Sequence, residues 1–488
     1  MFVLHDSPDT LTDSETSCFA AFVANTWTTP VTVTAEFGST PLDISKSIYR
    51  AVANGSSITY EPIDGAIPPG ELGIVFLAEG MKGPNNPKHL SCPTGTTPAW
   101  RGTAVKEHAT SIYSAFHLTT DAPVSAYSLF PYGGATSYLP SATLLLPTPS
   151  WDTNYLLVDG WNSNASYPFI QIVAQEDGTE VRLRPRVDVL DGKGVKGGVR
   201  GSVAKWTLQR GQVLEFTQDQ SLAGSPIEAS HPVAVFGGSQ CAFVGNEDFA
   251  CDSLHQQIAP IHEWSSSYSA VPYKSRRRGL DGAVTAPESV YFRFVGAAEG
   301  TVLTYSPAPP PNAPVALASG QVVTFTTDQI FSVKSQDSLH PFYLAVYMSG
   351  ADKYRTTGDP DFVNVIPDDQ FLDRYVFFLD HTYAESNLTL VRRKDATGFH
   401  DVKLDCVGVV GDWQPLGTDG TAEYTWVDMT RAHAGVRTAV GTCEYGRHEA
   451  LSDGPFALYV WGTDEYASYG FPAGAGSRPT SPYSIVVR

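Results

Sequence analysis

Ser230-His231-Pro232-Val233-Ala234-Val235-Phe236-Gly237 has close relatives at three other places in the chain, and this recurrence points to the fold. Thr120-Asp121-Ala122-Pro123-Val124-Ser125-Ala126-Tyr127 precedes it. Leu339-His340-Pro341-Phe342-Tyr343-Leu344-Ala345-Val346-Tyr347 and Ser452-Asp453-Gly454-Pro455-Phe456-Ala457-Leu458-Tyr459-Val460 follow it. The four prolines stand 109, 109 and 114 residues apart. A proline whose missing N–H costs nothing at a strand start, followed by an apolar run, predicts a core-facing strand in each copy.

A second marker runs between these endings. Pro147, Trp151 and Tyr155 share a Pro-x-x-x-aromatic-x-x-x-Tyr spacing with Pro260, Trp264 and Tyr268 and with Pro367, Phe371 and Tyr375. It predicts an entry loop pinned by a large buried ring. Turn signals lie between the markers, at Asp177-Gly178-Thr179, Glu299-Gly300-Thr301, Gly211-Gln212 and Gly320-Gln321.

Runs rich in Val, Phe, Tyr and Thr at 19–24, 31–37, 169–175, 181–184, 291–295, 322–326, 376–380 and 457–461 have strand composition, and no segment has the period of an amphipathic helix. The class is therefore all-β. A unit of ~110 residues fits a β-sandwich and exceeds one propeller blade. The expected organisation is a tail at 1–17, four related β-sandwich-like units at 18–140, 141–250, 251–358 and 359–476, and a tail at 477–488. The units stand in tandem or close into one pseudo-symmetric, propeller-like disc.

Composition narrows the partners. An aromatic content of 11% is incompatible with a disordered chain. A net charge of −19 argues against nucleic acid and anionic lipid, because counterion release needs clustered cations. The one basic run, Lys274 with Arg276, Arg277 and Arg278, reads as a solvated, protease-sensitive loop. No apolar run reaches the ~18 residues of a membrane span, and residues 1–17 do not have signal-peptide character.

Six cysteines form an even set without a Cys-x-x-Cys pair. Proximity favours Cys241–Cys251 and Cys406–Cys443, leaving Cys18–Cys92 by elimination, and disulfides indicate an oxidising compartment.

Signals for chemistry are weak. Residues 192–197 spell Gly-Lys-Gly-Val-Lys-Gly, the letters of a dinucleotide fingerprint, but no helix follows, so a glycine-rich hairpin loop is expected. His255 and His262 near Asp252 and Glu263 suggest ordinary hydrogen-bonded histidines before a metal site. The acid pairs Asp368-Asp369 and Glu176-Asp177 have glycosidase-like composition but are expected to be solvated, to cap turns or to take a structural calcium, the one cofactor kept open. Gly358-Asp359-Pro360-Asp361 is expected to be a turn. Asn54-Gly-Ser, Asn164-Ala-Ser and Asn387-Leu-Thr fit the N-glycosylation pattern. Trp161, Trp413, Trp426, Tyr466 and Tyr469, in or near Gly-, Asn- or Asp-rich loops, are the candidate ligand-binding rings.

Several segments together resemble the N-terminal domain of the IgG-Fc-binding protein family. They are 120–134, 143–146, 172–181 with Glu176-Asp177-Gly178-Thr179, the block 232–238 with Cys241, Cys251-Asp252-Ser253-Leu254, 257–260 and Trp264. Near the end, Ser468-Tyr469-Gly470-Phe471-Pro472-Ala473-Gly474 looks like the family's Ser-Tyr-Gly-Tyr-Pro-x-Gly, with Phe471 in place of Tyr. The resemblance spans about 115–476, and the short loops look like the family's bacterial surface and secreted branch. It implies a secreted or surface-displayed binding and adhesion module without catalytic residues. The expectation is a non-enzymatic extracellular protein that binds a protein or glycan. A carbohydrate-active hydrolase and a self-assembling structural subunit are the alternatives.

Overall fold

The computed structural model describes residues 16–54, 57–81, 89–102, 109–137, 139–163, 167–245, 250–277 and 287–488. Among them the regular structure is all β-strand, with short 3-10 turns and no α-helix. Among the described residues no helix is long and apolar enough to cross a membrane.

One antiparallel strand order appears at four places. Ser141–Leu145, Ser125–Phe130, Phe19–Ala24 and Leu72–Glu79 lie side by side in that order. Asp252–Ile258, the second half of Pro226–Ala242, Pro168–Ala174 and Gln212–Thr217 repeat it. So do Asp361–Asn364, Phe342–Met348, Val290–Gly296 and Val322–Thr327. The last set is Ala467–Pro472, the second half of Gly446–Asp464, Glu385–Arg393 and Ala422–Arg431.

The recurring proline marks where the chain changes layers. Pro232 and Pro455 lie inside strands of 17 and 19 residues, rather than at a strand start. Residues before Pro232 pair with Thr179–Leu183, and residues after it pair with Pro168–Ala174. Before Pro455 the partners are Leu372–Leu379 and Val402–Leu404; after it, Glu385–Arg393. A residue without an N–H suits the crossing point, where the ladder must be interrupted.

The two sequence markers meet physically. Tyr155, Tyr268 and Tyr375 each donate their hydroxyl, at 2.6 Å, to the carbonyl of the residue after a recurring proline: Val233, Phe342 and Phe456. Each hydroxyl also accepts the N–H three residues before it, from Asp152, Ser265 and Leu372. A 3-10 turn follows each marker proline. Tyr268→Phe leaves the Phe342 carbonyl and the Ser265 N–H buried without partners, and is expected to cost about 1–3 kcal/mol. Urea unfolding measures it, and an unchanged midpoint would remove the clamp from the account.

The hydrophobic cores cross the borders that the repeats mark. Phe22 packs with Tyr127, Phe378 and Tyr469, while Phe19, Ala21 and Val23 on the opposite face pack with Val33 and Ala35. Burial of both faces explains why Phe-Ala-Ala-Phe-Val-Ala is apolar throughout and not alternating. Val235 shares a core with Tyr343 and Tyr347, and Phe292 shares one with Tyr459 and Trp461.

Cys18–Cys92, Cys241–Cys251 and Cys406–Cys443 form the three expected disulfides. Residues 192–197 make the expected tight hairpin, with Gly192 and Val195 exchanging backbone hydrogen bonds and Gly194 at φ +73°. The basic run differs from expectation. Arg276 is buried in an ion pair with Glu288, and Lys274 Nζ lies 2.7 Å from Asp428. Arg278 lies outside the described residues.

Candidate functional site

The first strand of each four-strand order stands beside its counterparts. Ser141–Leu145 contacts Asp252–Ile258 and Ala467–Pro472, and Asp361–Asn364 contacts the same two, so the four strands surround one axis. Side chains tie them together. Gln256 donates to the Ala142 carbonyl (2.8 Å), Gln257 Oε1 accepts the Leu146 N–H (2.8 Å), and Asn364 Nδ2 donates to the Gln257 carbonyl (2.7 Å). Ser468 donates its hydroxyl to the Asp359 carbonyl at 2.7 Å and its N–H to Asp252 Oδ2 at 3.4 Å.

Three carboxyl groups are enclosed here. Asp252 and Asp361 each accept the N–H of the following residue at 2.7 Å. Asp359 is 0% exposed; its carboxyl faces the Ala351 amide and makes no well-formed hydrogen bond. Burial raises all three above the usual carboxylate range. At Asp252 the charges of Asp359 and Asp361 add to burial, while at Asp359 nearby Arg276 partly offsets it and leaves the group at about 8. Neutral acids are the chemically reasonable state where desolvation outweighs any nearby cation. Gly358–Asp361 is therefore an interior segment rather than a surface turn.

At the far end of the same strands lies a small cavity of about 50 Å³, bordered by Leu146, Gln257, Glu263, Trp264, Asn364 and Pro472 among others. Glu263 is 4% exposed, with Oε1 lacking a hydrogen-bond partner. Burial lifts its carboxyl to about 7, His262 pulls it down and Asp152 pushes it up. His262 Nδ1 lies 2.7 Å from Asp152 Oδ2, and Nε2 lies 3.9 Å from Glu263 Oε1. The unfolded chain releases this proton near pH 4.5 while the folded chain keeps it to about 7. Stability from the protonated group is thus full below the lower value and lost by the upper, by about 3 kcal/mol. Glu263→Gln is expected to gain on the parent progressively across that window. Denaturant titrations at its two ends check this, and a constant difference would contradict it.

The other signals find ordinary partners. His255 Nε2 lies 3.1 Å from Gln171 Oε1, whereas His262 Nδ1 lies 2.7 Å from Asp152 Oδ2, so each histidine has its own hydrogen-bond partner. Asp368 accepts from Ser267, Ser269 and Arg393, and Asp369 accepts from Ser265, so this acid pair anchors a marker loop. Asp177 caps the Arg210 N–H. Asp405, Cys406 and His448 are grouped closely enough for a metal, but Cys406 is committed to its disulfide.

Four of the five candidate rings pack on three separate cores: Trp161 on one, Trp426 on another, Trp413 and Tyr469 on a third. Trp161 meets Tyr291 edge-on at 5.0 Å, and Arg392 lies 4.2 Å over the Trp413 ring. Trp426 Nε1 donates to the Pro272 carbonyl at 2.9 Å. Tyr466 is partly buried at φ +51°, its N–H bonded to the Thr356 carbonyl. Tyr469 is 1% exposed, because both faces of Ala467–Pro472 are covered, and its hydroxyl accepts the Asp380 N–H. Asn387 is buried in a strand, which closes its sequon; residues 55–56 and 164–166 of the other two lie outside the described residues. The enclosed acids had one legible signal, the Asp in Cys251-Asp252 and in Gly358-Asp359.

A family model described as IgGFc binding protein matches residues 141–462. The human IgGFc-binding protein is 26% identical to this chain over 269 residues, 55% of the chain and 4% of the relative. The chain thus corresponds to a small part of that relative's length. No solved structure matches.

Proposed function

The chain belongs to the IgGFc-binding protein family, and from that premise we propose that it is an extracellular, non-catalytic protein that binds a protein partner. The family match across 141–462 carries this reading. Three disulfides accord with an oxidising compartment. Loops are suitable recognition elements, and the loop closed by Cys241–Cys251 is a candidate. No step of the reading needs a cofactor.

IgG Fc, from which the human relative takes its name, is the first partner to test. The immobilised chain is exposed to IgG Fc and to a panel of extracellular proteins in biolayer interferometry. Saturable capture of at least one partner is expected. Silence across Fc and the panel would reject the proposal.

A further inference from the structure

A cleft of about 270 Å³ lies apart from the enclosed acids of the axis. Its lining holds Arg184, Arg186 and Arg200 and no acidic residue, in a chain with 51 Asp and Glu against 32 Lys and Arg. Elsewhere arginines find carboxylates: Arg50 meets Glu71, Arg374 meets Glu449, Arg392 meets Glu423 and Arg393 meets Asp368. Among the described residues, Arg184 and Arg200 have no such partner for their guanidinium groups.

The backbone builds this arrangement. Arg184 follows the strand Thr179–Leu183, and Pro185 ends its ladder. The Gly201 N–H bonds the Pro185 carbonyl at 2.8 Å, which brings Arg200 back beside Arg184 and Arg186 after the glycine hairpin. On the other wall two turns meet backbone to backbone. A Cβ on Gly224 would lie 2.0 Å from the Gly320 carbonyl oxygen, so neither turn tolerates a side chain there. Arg186 Nη1 reaches the Gly320 carbonyl, which orients that guanidinium, while Arg184 and Arg200 are exposed residues of the lining. Leu156 and Ile485 supply an aliphatic floor.

We propose that this cleft binds the carboxylate or sulfate of an acidic sugar. Arginines gathered in a lining without an acid repel each other, and an oxyanion offsets that repulsion through paired, charge-assisted hydrogen bonds. The cleft is smaller than the ~300–1,000 Å³ of sites for drug-sized molecules, so it takes a terminal ring rather than a long chain. Polar carbonyl walls over an aliphatic floor suit hydroxyls on one side of a ring and C–H groups on the other. The inference rests on the extracellular reading above, since such sugars occur outside cells.

The test is isothermal titration of the full chain with a sialic-acid-terminated trisaccharide, a sulfated disaccharide, the neutral parent of each, and an acidic peptide. At least one acidic sugar is expected to bind, its neutral parent not; the two arms tell carboxylate from sulfate. Arg184→Ala and Arg200→Ala are each expected to weaken binding by about 10-fold or more. Both residues are exposed, so the melting temperature should stay unchanged and a loss of binding is not a loss of fold. Binding of the neutral sugars, binding of the peptide alone, silence towards both acidic sugars, or variants that bind like the parent would each overturn the cleft. If protein capture survives those results, the broader binding function stands; if capture fails while the sugar binds, the protein-partner reading falls and the cleft stands.

Discussion

Glu288→Ala is expected to destabilise the protein by about 3–5 kcal/mol, because it strands a buried arginine. The side chains of Arg276 and Glu288 are 2% and 1% exposed, with Nη2 and Oε1 2.8 Å apart. Glu288 also accepts the Arg276 backbone N–H at 2.7 Å and the Tyr273 hydroxyl. Once the carboxylate is gone, the guanidinium loses its hydrogen-bonded counter-charge, and the nearby Asp359, itself pushed towards the neutral form, does not replace it. The effect extends further, since Arg276 Nη1 donates to the carbonyls of Ser349 (2.9 Å) and Thr357 (3.3 Å), just before the enclosed Gly358-Asp359. The urea midpoint measures the loss. Combining Glu288→Gln with Arg276→Met removes both charges and should recover much of it. A single variant as stable as the parent would mean that this pair does not secure the segment.

Trp264→Ala is expected to be of similar size, about 3–5 kcal/mol, for a different reason: it opens a cavity. Trp264 is 1% exposed, its Nε1 donates to the Ala259 carbonyl at 2.9 Å, and its ring lies 5.5 Å from Tyr343. Its own carbonyl accepts the Thr480 hydroxyl at 2.9 Å, so the C-terminal segment loosens with it. Trp151 occupies the same place in its marker and makes the same bond, to the Leu146 carbonyl at 3.0 Å, but remains partly exposed. Trp151→Ala should therefore cost less. Calorimetry of the two variants decides the order, and the reverse order would separate the markers from core packing.

Features with a local signature were legible. Turn residues, β-branched runs and the two marker spacings led to an all-β reading, and the short Cys241–Cys251 and Cys406–Cys443 spacings led to their pairs. The same locality misled elsewhere. Lys274 to Arg278 looks solvated because adjacent cations normally are, yet Glu288 and Asp428 reach into the run from outside it. Tyr469 sits among Gly, Ser and Ala, which suggests a loop, but both faces of its strand are covered and the alternation that would reveal burial is absent. Pro123 and Pro341 do stand just before strands, but Pro232 and Pro455 lie mid-strand, because the layer crossing that admits them needs partners from two sheets.

Strand content, the recurrence of the markers and the disulfide pairs were thus legible along the chain. Backbone propensity, apolar patterning and short loop closure all act over a few residues or tens of residues. Tertiary structure alone decided which carboxyls are enclosed on the axis and which arginines are left without an acid. Those outcomes depend on desolvation and charge, summed over every neighbour that the fold brings near. For Asp252 the neighbours include Asp359 and Ser468, more than a hundred and two hundred residues away.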